Sequence, residues 1–185
     1  MGHNLLDMEI VVPPEFAYLY VEDDEHPVVK IPAPVLRQKA APVGKVNKKT
    51  QALIDRMARV MRQANGIGLA APQIGVLQRV ILIAPEGMRP TAILNPVITK
   101  AEGEQIGQEG CLSIPGLYGD VTRAQYIEVE ALDRRGREVV FELEGMPARV
   151  AQHEIDHLEG VLFTDKVDMA TLHWMDPAQA WDDDE

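Results

Sequence analysis

His153-Glu154-Ile155-Asp156-His157 spells H-E-x-x-H. Residues four apart share one face of a helix, so both imidazoles can reach one cation while Glu154 stands beside them to handle a water proton. That arrangement suits metal-assisted hydrolysis. A solvated charged face is the bland alternative, since Gln152, Asp156 and Glu159 are polar too, but it leaves the two histidines and their glutamate unexplained. Two histidines do not complete a centre, because a catalytic site of the zinc type takes three protein ligands and keeps one position for water. The metzincin pattern is excluded, since Phe163 stands where its third histidine would follow Gly160. Asp165 and Asp168 remain as carboxylate candidates for the third ligand, and so does Cys111, the one cysteine of the chain. A free cysteine is ordinarily a small buried hydrophobe. Here it sits in Glu109-Gly110-Cys111-Leu112-Ser113, where a glycine lets the backbone approach a ligand closely.

A further segment, Gly66-Ile67-Gly68-Leu69-Ala70-Ala71-Pro72-Gln73, formally matches a dinucleotide-binding fingerprint. That fingerprint needs a strand before it and a helix after it, whereas this run follows a helical pattern and contains Pro72. What remains is a loop of exposed backbone donors ending in Gln73, whose carboxamide can point at a developing oxyanion. Gly66 also serves as a helix stop.

These residues must be held by elements that the pattern of apolar residues reveals. Over 47–65, Leu53, Ile54, Met57, Val60 and Met61 recur at helical spacing, and Asn65-Gly66 supplies a left-handed end. Residues 79–84, 92–99, 126–133 and 138–143 read as strands, the last pair joined at Asp133-Arg134-Arg135-Gly136. Pro147 in the first turn and Gly160 beyond the end frame a second helix over 148–159, which carries the H-E-x-x-H residues. Its opposite face, with Ala151, Ile155 and Leu158, should pack the core. Strands in runs rather than alternating with helices predict an α+β fold, with mostly antiparallel strands packed around a central helix in a single domain.

The whole chain sets limits on function. Its 185 residues suffice for one domain with its own core. Lys and Arg number 18 against 29 Asp and Glu, a net charge of −11 that disfavours an extended phosphate-binding surface. The longest apolar run, 80–84, is far too short to span a bilayer, and no membrane role is expected. The amino terminus lacks the features of a secretory or organelle signal, and a single cysteine fits a reducing compartment, so the cytoplasm is the expected location.

Taken together, G-I-G-L-A-A-P-Q, E-G-C-L-S and Q-H-E-I-D-H, in that order and with comparable separations, resemble the three signature motifs of peptide deformylases. The likeness runs from about His26 to Val167. It implies a catalytic domain over 26–170; outside it, the lack of a sustained apolar period reads as a loosely packed extension over 1–25, and 171–185 as an acidic tail. It also implies that Cys111, His153 and His157 bind one divalent metal, normally ferrous iron, with zinc, nickel or cobalt able to occupy such a site. Glu154 would act as general base and acid, and the Gln73 side chain and Leu112 backbone N–H would stabilise the oxyanion. Ile67, Gly68 and Gly110 would bind the peptide backbone, with Tyr118 near a methionine pocket. The implied substrates are N-formylmethionyl peptides, met in transient association with the ribosome and without specific nucleic-acid binding. Arg123 reads as an internal partner of Glu109. Two other readings share these residues: a metalloprotease cutting internal peptide bonds, and a non-catalytic metal-binding module. The second would need a fourth protein ligand, and His3, His26 and His173 all lie away from the motifs.

Overall fold

A computed structural model describes residues 9–180. The first long helix, α1 (Lys48–Gln63), starts where Asn47 accepts hydrogen bonds from the backbone of Lys49 and Thr50 while the Thr50 hydroxyl accepts one from the Asn47 N–H. It ends at Asn65, whose φ of 54° turns the chain out of the helix. The second, α2 (Met146–Leu158), begins with Pro147 in its first turn, where a missing N–H costs nothing. Between and around them, among the described residues, run eight strands, all paired antiparallel: β1 (Gly68–Ala70), β2 (Val80–Ile83), β3 (Thr91–Glu102), β4 (Gln105–Cys111), β5 (Ile114–Arg123), β6 (Tyr126–Leu132), β7 (Glu138–Glu144) and β8 (His173–Trp174). The α+β expectation holds.

Five strands form one sheet in the order β1-β2-β3-β6-β7, and β4-β5-β8 form a second. Strand β2 is apolar and buried at every position because helices cover both faces of the sheet at that point. Ile81 and Ile83 join Ala148, Ala151, Ile155 and Leu158 of α2 in one core, as the second helix's apolar face predicts. Val80 and Leu82 pack with Ile54, Met57 and Met61 of α1 on the other side. A third core lies under β5, where Ile114, Leu117 and Val121 meet Leu162 and Phe163.

Four strands were not apparent from composition. β4 and β5 carry four glycines and Pro115 between them, and β1 and β8 are very short. Cross-strand pairing and burial hold such segments, not intrinsic preference. The run expected as a loop of exposed donors is buried from Gly68 on: Gly68–Ala70 pairs with β2, and Ala71–Ile74 forms a 3-10 turn. Near the amino end, Pro14–Tyr20 forms another 3-10 helix whose Phe16 ring stacks on Trp174, with centroids 5.4 Å apart. Trp181 and the four acids after it fall outside the described residues. Among the described residues no helix is long and apolar enough to cross a membrane.

Asn95 interrupts β3 at a bulge with φ 50°, and its carboxamide both accepts from the Val43 N–H (2.8 Å) and donates to the Val43 carbonyl (2.9 Å). This pins the segment leading into α1 onto the sheet. Asn95→Ala removes both bonds and leaves a β-carbon in left-handed backbone, for an expected loss of about 2–3 kcal/mol. Urea unfolding measures it, and Asn95→Gly should lose less, because only the hydrogen bonds go.

Candidate metal centre

Helix α2 sets His153 and His157 one turn apart on a buried face, with ring centroids 5.1 Å apart. Cys111 arrives from the last position of β4. Leu112 and Ser113 turn the chain there, and the ladder slips between Glu109 and Cys111, a bulge that re-aims the side chains around it. The bulge needs Gly110, because a β-carbon at that position would lie 2.5 Å from the Tyr118 ring. Cys111 Sγ ends 3.5 Å from His157 Nε2, and one donor atom from each of Cys111, His153 and His157 lies within 4.8 Å of the others. All three residues are buried.

The donor set fits a borderline divalent cation. Bonds of about 2.3 Å to sulfur and 2.0–2.1 Å to nitrogen at tetrahedral angles put the two atoms about 3.6 Å apart, close to the cysteine–histidine separation. One thiolate and two imidazoles suit iron, zinc, cobalt or nickel and not magnesium or calcium. Among the described residues the cluster ends at three donors.

Behind the ligand set stands a charged network. His153 Nδ1 lies 2.8 Å from Glu109 Oε1; a carboxylate can only accept, so Nδ1 carries a proton and Nε2 is the nitrogen left for a cation. Glu109 also accepts two bonds from Arg123, at 2.9 and 2.8 Å, and one from Arg149 at 2.6 Å. Arg123 reaches on to Asp156, which Lys166 bonds from the solvent side. Burial opposes a charge on Glu109, yet Arg123 and His153 hold its pKa well below the usual carboxylate range. Burial likewise works against a charged His153, but hydrogen bonds to Cys111 and Glu109 raise its pKa. His157 moves the other way, lowered by burial and then by the neighbouring His153 charge.

Glu154 is 4% exposed, and its Oε2 has no hydrogen-bond partner among the described residues. Burial pushes its carboxyl up to about 7, against the pull of His153. A base poised near neutrality is effective in proton transfer. Gly68 packs directly on it, since a β-carbon there would stand 2.6 Å from Glu154 Oε1 and 2.8 Å from Val150. Gln73 is oriented by its own loop. Its Oε1 accepts from the Ala70 N–H at 3.0 Å, which turns Nε2 toward Ser113 Oγ (3.2 Å) and Cys111 Sγ (3.7 Å).

A family model for polypeptide deformylases matches residues 25–172, most of the chain. The chain belongs to that family. It is 52% identical over 139 residues to the peptide deformylase of Halothermothrix orenii, a match covering 75% of this chain and 90% of that one. It is equally similar, over 141 residues, to the peptide deformylase of Symbiobacterium thermophilum; there the match covers 75% of this chain and 65% of its relative. The crystal structure of the peptide deformylase from Thermus thermophilus superposes with a TM-score of 0.72 at 50% identity, covering 74% of this chain and 82% of that one.

The deformylase-like motifs converge: Cys111, His153 and His157 together, Gly68 against Glu154, Gln73 beside Cys111, and Leu112 next to it in the turn. Ile67 is 45% exposed, in the segment between α1 and β1, while Tyr118 is buried between Gly110 and His173. The two carboxylate candidates are spent elsewhere. Asp165 pairs with Arg37, and Asp168 caps its own 3-10 turn. His26 pairs with Asp23, His173 bonds the Thr171 carbonyl, and His3 lies outside the described residues. The expected Arg123–Glu109 pair is present. Arg149 was not foreseen, although it stands four residues before His153 and so on the same helix face.

Glu109→Ala would strand two buried guanidinium groups, so a loss of about 3–5 kcal/mol is expected in chemical unfolding. A change under about 1 kcal/mol, typical of exposed pairs, would show that the network is not structural.

Proposed function

We propose that this chain removes the N-formyl group from the initiator methionine of newly made polypeptides, releasing formate and a free amino terminus. One observation carries the reading: in a member of the deformylase family, a thiol and two imidazoles from separate motifs converge on one point beside a buried, unpaired carboxylate. Cys111, His153 and His157 hold the cation, ferrous iron by resemblance to the family, with zinc, nickel and cobalt also compatible with these donors. When bound, it supplies a Lewis acid that polarises the formyl carbonyl and acidifies a neighbouring water.

The protein's own groups do the rest. Glu154 takes the proton from the attacking water on its free carboxylate oxygen and returns it to the departing amine nitrogen. Its burial keeps bulk water from competing for that proton. Gln73 Nε2, already aimed toward Cys111 by the Ala70 bond, donates to the oxyanion as it develops, as does the Leu112 backbone N–H. Ile67, Gly68 and Gly110 bind the peptide backbone of the substrate, and Tyr118 borders the methionine pocket. Glu109 holds the His153 ring in place and fixes its tautomer. The work belongs in the cytoplasm, with the ribosome as a transient neighbour.

Glu154→Ala should keep its metal and lose formate release from a formylmethionyl tripeptide by a factor on the order of 10²–10⁴. Metal analysis and a coupled formate assay read both quantities, and full turnover in the variant would remove Glu154 from the mechanism. The intact enzyme should ignore the same tripeptide when it is acetylated. Internal cleavage of a longer blocked peptide would instead mark a protease.

A further inference from the structure

Among the described residues three lysine or arginine side chains are buried. Arg123 and Arg149 share Glu109. Lys30 is the third; it is 7% exposed, and no carboxylate among the described residues pairs with it. Its ammonium donates once, to the Val28 carbonyl at 2.6 Å. A lysine is almost never buried unless paired, because taking an ammonium out of water costs more than one hydrogen bond returns. Lys30 therefore calls for an anion.

The segment that carries Lys30 is fixed beside the cysteine. Val29 donates its N–H to the Gln73 carbonyl at 2.7 Å, and Ile31 donates to the Ser113 carbonyl at 3.0 Å. Lys30 thus stands between bonds to the residue whose carboxamide reaches Cys111 Sγ and to the residue two beyond Cys111. Val29 and Ile31 pack on the apolar core that contains Cys111, as does Ile10. In such surroundings charge acts over longer distances than in water. Burial draws the Lys30 pKa down, while the charges of Glu22, Asp23 and Cys111 draw it up. The two acids are poor partners, since both are exposed to water and Asp23 is taken by His26 at 2.9 Å. The buried Tyr20 hydroxyl, which has no partner among the described residues, feels the same sulfur: burial raises its pKa and the Cys111 charge adds to the rise.

We propose that Lys30 is the counter-cation of the Cys111 sulfur. It is a positioning residue, which acts on the reaction only through the ligand. Its charge holds the sulfur as the thiolate that a metal requires. It also lowers the energy of the sulfur lone pairs, so that less electron density reaches the cation and the cation stays a stronger Lewis acid toward water and carbonyl oxygen. The inference rests on the metal centre proposed at Cys111, His153 and His157.

The test uses full-length protein loaded with cobalt(II), whose charge-transfer band from sulfur reports how strongly the thiolate donates. Lys30→Met should move that band to lower energy and weaken zinc binding, measured by chelator competition, about tenfold, the lower end of the range for groups that support a ligand. Lys30→Arg keeps the charge and should resemble the parent in both readouts. Lys100→Met, which removes an exposed lysine paired with Glu102, should change neither. Without metal, Lys30→Met should unfold no more easily than the parent, because an apolar chain replaces a buried ammonium. An unmoved band with unchanged zinc affinity in Lys30→Met would overturn the proposal, as would equal effects of the Met and Arg substitutions. Lost stability in metal-free Lys30→Met with an unmoved band would make Lys30 a structural residue only. Absence of the band from the parent would refute the metal centre itself. A band that shifts as expected in a protein that releases no formate would support Lys30 and refute the proposed reaction.

Discussion

Glu109 is a carboxylate buried where β4, β5 and α2 meet, and the site around it depends on how that charge is neutralised. It accepts from Arg123 through two nitrogens, from Arg149, and from His153 Nδ1. A buried charge without such partners would cost several kcal/mol, so the four groups are effectively obliged to stay together. One end of the network belongs to the hairpin that presents Cys111, and the other to the helix that presents the two histidines. The bond between them is therefore what brings a sulfur and two nitrogens from distant stretches of chain to a common point. It also keeps a proton on His153 Nδ1, so that Nε2 is the nitrogen facing that point.

The larger fold supplies rigidity to this junction. Helix α2 is sealed against the five-stranded sheet by small and branched side chains, with Ala148, Ala151 and Leu158 fully enclosed. Strand β1 passes close enough to α2 that only glycine fits at position 68, and this close approach sets Glu154 against the β1 backbone. The second sheet brings its edge to the opposite side, where Gly110 and Tyr118 stack. Helix α1 takes no part in the chemistry. It braces the far face of the first sheet through Ile54, Met57 and Met61.

How much of this was legible in the sequence depends on whether local pattern or tertiary contact decides each feature. The ligand-bearing helix was legible because H-E-x-x-H, Pro147 and Gly160 are all local signals, and α1 was legible from apolar spacing and its asparagine stop. Strands rich in branched residues, such as 80–83, could be read directly. β4 and β5 could not, since Gly107, Gly110, Gly116, Gly119 and Pro115 depress strand preference, and only pairing and burial make them strands. The choice among Cys111, Asp165 and Asp168 lay open on spacing alone, because whether a carboxylate is free depends on a partner such as Arg37 that is far away in the chain. Arg149 was hidden for the same reason. Its role appears only once Glu109 arrives from another element.

The central claim is that Cys111, His153 and His157 share one cation. X-ray absorption on anaerobically purified, metal-loaded protein tests it directly. The account predicts a first shell with one sulfur at about 2.3 Å and imidazole nitrogens at about 2.0–2.1 Å, and loss of the sulfur contribution in Cys111→Ser. A shell of oxygen and nitrogen alone in the intact protein would contradict it.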